Sequence, residues 1–184
     1  MKSENKPSIL IIDDERNTRE ILGKFLRPNY EITLAEDGSR GLNLLKNQDF
    51  DLVLTDLRMP GADGMSILDA VLKKHPQPQC ILFTAYGSIE SAVEAMKKGA
   101  FDFVPKPVNF YRLEILIQRA LEARRLTEEN KELKKRLDKS FGIDSIIGSS
   151  RVMQTVLETV RQIAPARTTV LISGESGTGK ELIA

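Results

Sequence analysis

The stretch Ser8-Ile9-Leu10-Ile11-Ile12-Asp13-Asp14-Glu15 decides the fold, because an apolar run there ends in two adjacent aspartates. Short apolar runs of this kind recur along the first two thirds of the chain, with amphipathic stretches between them. The five runs that we interpret as strands are Ile9–Ile12, Ile32–Ala35, Leu52–Thr55, Cys80–Thr84 and Phe101–Val104. This alternation predicts an α/β fold, a (βα)5 doubly wound parallel sheet with helices on both faces.

Helical spacing of apolar residues marks the stretches between the strands. The four predicted helices are Thr18–Leu26, Ser39–Asn47, Met65–His75 and Ser88–Lys98. In the last of them, Ile89, Ala92, Val93 and Met96 are predicted to lie on one apolar stripe. Gly99 is predicted to end that helix, since glycine favours helix C-termini.

Length and composition limit the possible classes of protein. The chain has 184 residues, 41% hydrophobic and 29% charged, with a net charge of +1, so it is predicted to hold one domain plus a smaller part. No apolar run approaches the roughly 20 residues of a membrane span, and Met1–Ser8 lacks a signal pattern. We expect a cytoplasmic protein without membrane contacts. The lone Cys80 is predicted to be buried, and His75 to be a surface residue.

A long helix is predicted from Phe110 to about Lys139, where neither proline nor glycine occurs. Its first half is apolar enough to pack on the sheet. In its second half the candidate dimer seam follows the spacing of coiled-coil a and d positions. The seam residues are Leu126, Asn130, Leu133 and Leu137. The helix at 110–139 is thus predicted to be a linker that forms a parallel homodimer, while a solvated single helix remains the alternative.

Five polar residues follow the predicted strands: Asp13 and Asp14 the first, Asp56 the third, Thr84 the fourth and Lys106 the fifth. Ligands of doubly wound sheets bind at these carboxyl ends, so the side chains are predicted to converge. Crowded carboxylates require a cation, and hard oxygen ligands suit Mg²⁺. Taken singly, each aspartate could instead cap a helix or form a turn, and the lysine could be a loop residue.

The motifs around these residues resemble the response-regulator receiver family over roughly residues 1–120. They are Ile11–Glu15, Leu54–Asp56, Met59–Gly61 with Asp63–Gly64, Thr84–Ala85 and Phe103–Pro107. The resemblance implies a flavodoxin-like strand order 2-1-3-4-5 and phosphoryl transfer from a histidine kinase to Asp56. It also implies Mg²⁺ held by Asp13, Asp14, Asp56 and the Arg58 carbonyl. Thr84 and Lys106 would contact the phosphoryl group, Phe103 would be the switch aromatic, and the Lys106–Pro107 bond would be cis.

A glycine-rich loop closes the sequence after the amphipathic stretch Met153–Ile163 and the strand-like run Val170–Ser173. Residues 174–180 fit the G-x-x-x-x-G-K pattern of a phosphate-binding loop. The loop residues are Gly174, Gly177, Thr178, Gly179 and Lys180, followed by Glu181 where Ser or Thr is usual. Together with Ile146–Gly148, this loop resembles the start of the AAA+ ATPase domain of NtrC-family sigma-54-dependent activators.

We therefore expect residues 143–184 to be the truncated N-terminal part of an AAA+ domain. The sequence ends four residues past Lys180, so we expect a regulatory fragment that does not hydrolyse ATP. The resemblance implies that ATP binds only in the complete protein. Sigma-54 RNA polymerase and enhancer DNA would be contacted only through domains outside this chain.

The leading hypothesis is a phosphorylation switch. Phosphate on Asp56 would draw Thr84 and Phe103 inward and repack the face from about Ser88 to Tyr111. This would alter the dimer geometry through the helix at 110–139 and relieve inhibition of the attached ATPase. A magnesium-dependent aspartyl phosphatase is one alternative, although such enzymes generally place D-x-D on the first strand. A vestigial receiver that acts only as a dimerisation module is another.

Overall fold

A computed structural model describes residues 6–74, 79–84, 89–141, 150–164, 166, 169–180 and 183, with only the backbone described at 89, 90 and 136–141. The chain divides into two compact units, Met1–Thr127 and Glu128–Ala184. Across the described residues, no helix has the length and apolarity needed to cross a membrane.

The first unit is built on a five-stranded sheet. Its strands are β1 (Ser8–Ile12), β2 (Glu31–Ala35), β3 (Leu52–Asp56), β4 (Cys80–Thr84) and β5 (Asp102–Pro105). The order is β2-β1-β3-β4-β5 and every neighbouring pair is parallel, which confirms the predicted fold. β5 begins at Asp102 rather than at Phe101, because Phe101 lies in a bend where its N–H donates to the Cys80 carbonyl at 2.8 Å.

Helices follow the strands of the sheet, one after each strand. They are α1 (Arg16–Leu26), α2 (Gly38–Asn47), α3 (Gly64–Lys74), α4 (Ile89–Lys98) and α5 (Phe110–Phe141). α2 and α3 each begin one residue before the predicted start, directly after a capping aspartate. Asp37 accepts from the Arg40 N–H at 2.7 Å and Asp63 from the Ser66 N–H at 2.9 Å. The predicted helix-end residues His75 and Ser88 lie outside the described residues.

The predicted apolar stripe of α4 is only partly buried. Val93 is 46% exposed and Met96 39% exposed, whereas Ala92 and Ala95 are buried. The two alanines lack long side chains and so let the helix approach the sheet closely, which leaves the larger residues outside. Gly99 ends the helix with φ +110°, as predicted.

Two apolar layers enclose the sheet. One face packs Leu10, Ile12, Val53, Cys80 and Leu82 against α2, α3 and α4. The other face packs Ile9, Ile11, Leu52, Leu54 and Phe83 against α1 and the first half of α5. The first half of α5 packs on the sheet, as predicted, through the buried residues Leu113, Leu116, Ile117 and Ala120. Cys80 is fully buried, and this burial raises the pKa of its thiol to about 12.

The second unit contains α6 (Arg151–Ile163), which Ser150 caps by accepting from the Met153 N–H at 3.2 Å. The expected strand over Val170–Ser173 is wrong, since residues 169–175 form no regular element. A strand requires a neighbour for its backbone hydrogen bonds, and no described segment of this unit supplies one. The motif Ile146–Gly148 lies outside the described residues.

Candidate functional site

The carboxyl edge of the sheet gathers the polar residues that follow its strands. Asp13 and Asp14 come directly after β1, and Asp56 is the last residue of β3. Thr84 ends β4, and Lys106 comes directly after β5. Because β1 lies between β2 and β3, the strand order reverses at this point, which is where doubly wound sheets bind ligands.

Three carboxylates form the centre of the site. Asp13, Asp14 and Asp56 each contribute an oxygen, and these oxygens all lie within 4.8 Å of one another. Asp13 is fully buried and Asp56 is 8% exposed, whereas Asp14 is exposed. Such a cluster is costly unless positive charge offsets it.

Lys106 supplies part of that positive charge. Its ammonium lies 2.9 Å from an Asp13 carboxylate oxygen and also forms an ion pair with Asp56. Burial alone would lower the pKa of Lys106, but its hydrogen bonds to Asp56 and Asp13 outweigh burial, so the pKa lies above its usual value. The lysine is therefore charged and bridges two of the three carboxylates.

Burial is the largest influence on the pKa of the Asp13 carboxyl. It raises the pKa of this carboxyl above its usual value, although hydrogen bonds from Lys106 and the Glu15 N–H act in the opposite direction. One lysine thus does not fully offset the loss of water around Asp13. A bound cation would complete the compensation.

Backbone and arginine donors hold the acidic residues in place. The Glu15 N–H donates to Asp13 Oδ1 at 2.9 Å, and the Arg58 N–H donates to Asp56 Oδ1 at 3.1 Å. Arg19 Nη1 donates to the Asp13 carbonyl oxygen at 2.6 Å. None of these three donors was predicted from the sequence. Only Arg19 offered a signal, as a cation in the helical stretch just after the acid pair.

The donor set suits a hard divalent cation. Its members are carboxylate oxygens without histidine or cysteine, the ligands that Mg²⁺ prefers. The burial of Asp13 adds an electrostatic reason for a cation to bind. The Arg58 carbonyl, which the resemblance names as a further ligand, stays a prediction, because the described contact of Arg58 is through its N–H.

Thr84 and Phe103 lie on the same face of the sheet. The registers pair Leu82 with Phe103 and Thr84 with Pro105, and residues two apart on a strand share a face. Thr84 is buried, Phe103 is half-buried, and the Lys106 N–H donates to the Thr84 carbonyl at 2.8 Å. The Lys106–Pro107 peptide bond is cis, as the resemblance implies.

Two glycines shape the loop between Asp56 and α3. Gly61 has φ +80°, a conformation that L side chains rarely adopt. A Cβ on Gly64 would lie only 2.3 Å from the Asp56 carbonyl oxygen. The loop can therefore approach the site closely only because Gly64 has no side chain.

Two glycines of the loop in the second unit adopt the left-handed backbone conformation. Gly177 and Gly179 have φ values of +79° and +77°. Thr178 Oγ1 donates to the Glu175 carbonyl at 2.8 Å, and Lys180 Nζ donates to the Gly174 carbonyl at 3.0 Å. Glu181 lies outside the described residues.

The predicted dimer seam is exposed where it is described. Leu126 is 54% and Leu133 51% exposed, and Asn130 is also exposed. The side chain of Leu137 is outside the described part of the chain. Exposed leucines at this spacing form an apolar stripe along the helix.

Comparison with protein families matches both parts of the chain. Residues 9–118 match the response regulator receiver domain, and residues 146–184 match the sigma-54 interaction domain. The first match covers the sheet and the acidic site. The second covers α6 and the glycine-rich loop.

Known proteins and structures agree with these matches. Regulatory protein AtoC of Escherichia coli (strain K12) is 40% identical over 96% of this chain and 38% of its own length. The crystal structure of NtrX from Brucella abortus in complex with ADP is 32% identical with a TM-score of 0.65, covering 97% of this chain and 38% of that chain. A response regulator receiver domain protein from Clostridium thermocellum is 33% identical with a TM-score of 0.63, covering 66% of this chain and 98% of that chain.

The chain spans about two fifths of the length of the curated relatives that it matches. Within the chain, the receiver match precedes the sigma-54 interaction match. The chain therefore belongs to the response regulator receiver family, in the NtrC-type group whose receiver is joined to a sigma-54 interaction domain.

Proposed function

We propose that Asp56 accepts a phosphoryl group from a phosphohistidine of a sensor histidine kinase. The observation that carries this proposal is the position of Lys106, whose ammonium contacts both Asp13 and Asp56 at the carboxyl edge of the sheet. A carboxylate nucleophile beside a fixed cation and two further carboxylates is suited to phosphoryl transfer, because this reaction depends mainly on positioning and on charge stabilisation.

In the proposed step an Asp56 carboxylate oxygen attacks the phosphorus atom. An O–P bond forms, the N–P bond of the donor breaks, and its electron pair returns to the imidazole nitrogen, which takes a proton from solvent. Lys106 moves from the carboxylates to the incoming phosphoryl oxygens and remains charged. Asp13, Asp14 and Asp56, with the Arg58 carbonyl, would hold Mg²⁺, which supplies positive charge to the phosphoryl oxygens.

The proposed response to phosphorylation involves Thr84 and Phe103. The Thr84 hydroxyl would donate to a phosphoryl oxygen, and Phe103 would move into the space beside it, on the shared face of the sheet. The face from α4 to the start of α5 would then repack. Repacking would change the surroundings of the exposed apolar residues on this face, which are Val93, Met96, Tyr111 and Ile115.

The test is phosphorylation with acetyl phosphate and Mg²⁺, followed by intact mass measurement. The wild type should gain the mass of one phosphoryl group, and Asp56→Asn should gain none. Asp63→Asn is the matched control, because Asp63 caps α3 on the same side of the sheet and asparagine caps equally well. A wild type without an adduct would support the dimerisation module instead. Rapid turnover of p-nitrophenyl phosphate would support the phosphatase.

For the full-length protein we propose a dimeric, cytoplasmic regulator in which the unphosphorylated receiver inhibits an ATP-dependent sigma-54 interaction domain. This domain would remodel sigma-54 RNA polymerase, and enhancer DNA would be bound through a further part of that protein. The seam at Leu126, Asn130, Leu133 and Leu137 would join two copies in parallel. The proposal is tested by ATPase activity of the full-length protein with and without its receiver. Lower activity after receiver deletion contradicts inhibition.

A further inference from the structure

The guanidinium of Arg19 contacts the acidic site through a backbone atom. Arg19 lies in the first turns of α1, and its Nη1 donates to the carbonyl oxygen of Asp13 at 2.6 Å. This carbonyl belongs to the peptide unit that joins Asp13 to Asp14. This hydrogen bond therefore restrains the peptide plane between Asp13 and Asp14, two of the three clustered carboxylate residues.

The other polar atoms of Asp13 already have their own donors or acceptors. Its Oδ1 accepts from the Glu15 N–H and its Oδ2 from Lys106, both at 2.9 Å, while its N–H donates to the Ala35 carbonyl at 3.3 Å. Asp14 differs, because no hydrogen bond to its exposed carboxylate is found in the described part of the chain. The Asp14 carboxylate is therefore restrained through its own backbone, and Arg19 contacts the peptide that precedes it.

We propose that Arg19 is a positioning residue for a divalent cation at this site, which deepens the proposed function and rests on it. By holding the Asp13–Asp14 peptide, Arg19 keeps the Asp14 carboxylate directed towards those of Asp13 and Asp56. Groups that orient metal ligands commonly change metal affinity by 10- to 100-fold when removed.

The sign of the effect separates positioning from simple charge. Removing any arginine near three carboxylates makes the site more negative, so charge alone predicts tighter binding of a divalent cation. Loss of positioning predicts weaker binding. The two explanations therefore predict opposite changes in the dissociation constant for the same substitution.

Arg16 provides a matched control on the same helix. It is exposed, and its Nε donates to Glu20 at 2.8 Å, one helical turn further along. Arg16→Gln and Arg19→Gln remove the same charge from neighbouring turns of α1. Only Arg19→Gln removes a donor to the Asp13 carbonyl.

The experiment is a Mn²⁺ titration of the whole chain, with unbound Mn²⁺ measured by electron paramagnetic resonance. We expect Arg19→Gln to weaken Mn²⁺ binding by about tenfold, and Arg16→Gln to leave it unchanged or slightly tighter. Arg19→Lys should give an intermediate affinity, because a single ammonium can reach the same carbonyl without the planar geometry of guanidinium. Thermal unfolding of each variant checks that the fold is retained.

Several results would overturn the inference. They are a wild type that does not bind Mn²⁺, and an Arg19→Gln variant that binds as tightly as the wild type or as Arg16→Gln. If Arg19→Gln does not fold, the test is the Mn²⁺ affinity of Arg19→Lys. A Mn²⁺ affinity of Arg19→Lys equal to that of the wild type would overturn the inference. A wild type that binds Mn²⁺ but takes no phosphoryl group contradicts the proposed function alone, since the binding comparison remains valid.

Discussion

Arg124 Nη1 lies 2.6 Å from a carboxylate oxygen of Asp51, which joins α5 to the edge of the sheet opposite the acidic site. The same guanidinium donates to the Phe50 carbonyl at 3.0 Å. The second oxygen of Asp51 accepts from the N–H and the hydroxyl of Ser8, at the start of β1. Asp51 thus links the first strand, the approach to the third strand and the helix that leaves the receiver.

Removing the Arg124 guanidinium should weaken the attachment of α5 to the sheet. We expect Arg124→Gln to lower the free energy of unfolding by about 1–2 kcal/mol, because hydrogen bonds to charged groups contribute more than neutral ones and this pair is only partly exposed. Urea unfolding measures the total change in the free energy of unfolding. Hydrogen exchange of the amides near residue 124 shows whether the loss of stability is local.

Arg125→Gln is the control for this prediction, since the neighbouring Arg125 is exposed and should change stability little. The double variant with Asp51→Asn should lose less than the sum of the single losses, because both substitutions break one interaction. Additive losses would mean that the pair contributes nothing beyond its separate residues.

The cap of α3 should be sensitive to acid. Asp63 accepts from the Ser66 hydroxyl at 2.7 Å and from the Ser66 N–H at 2.9 Å, and these bonds hold the pKa of Asp63 below its usual value. Asp63→Ala should cost about 1 kcal/mol at neutral pH, and Asp63→Asn only a few tenths.

The sign of the pH dependence follows from the lowered pKa. Asp63 contributes its stability above the pKa of the unfolded chain, and this contribution is lost as the pH falls through the lower pKa of the folded protein. The stability gap between the wild type and Asp63→Ala, measured by urea unfolding, should therefore narrow from about pH 5 towards pH 2. A gap that stays constant over this range would show that the ionised carboxylate is not the source of the stabilisation.

Strand-end residues of the site could be predicted from sequence because the carboxyl ends of neighbouring parallel strands must meet. The positions of Asp56 and Thr84 in the site could be predicted from the apolar run before each residue and from the strand order. Arg19 and the Arg58 N–H could not be found in this way, because their roles depend on the path of a turn. Burial along α4 could not be predicted from the sequence either, since apolarity alone favours Val93 over Ala95, whereas close packing favours the smaller residue.

Gly64 should tolerate no side chain. An added Cβ would lie 2.3 Å from the Asp56 carbonyl oxygen and 2.8 Å from Leu57 Cα, both backbone atoms that cannot move separately from the site. We expect Gly64→Ala to cost about 1–3 kcal/mol in urea unfolding, and to slow phosphorylation by acetyl phosphate because Asp56 is displaced.

Gly23→Ala is the contrasting variant. The three atoms nearest to its Cβ would all belong to the Leu34 side chain, at 3.4 Å or more, and Gly23 lies inside α1. Alanine there should be neutral or should stabilise the protein by up to about 1 kcal/mol. If the two substitutions changed stability equally, steric conflict at Gly64 would not explain its effect.

Cys80 should make the first unit less stable in alkali. Its thiol is buried and has a pKa of about 12, against a usual value of 9.0, so it stays protonated in the fold while the unfolded chain ionises. A raised pKa in the folded state means that stability is complete below the unfolded value and falls as the pH rises above it. By about pH 10 the wild type should lose roughly 1.4 kcal/mol relative to Cys80→Ala. Cys80→Ala loses the packing of the side chain equally at every pH and has no thiol to ionise. Urea unfolding of both proteins at about pH 8 and about pH 10 therefore isolates the contribution of thiol ionisation. An unchanged difference between the two proteins would mean that the thiol ionises equally in the folded and unfolded chains.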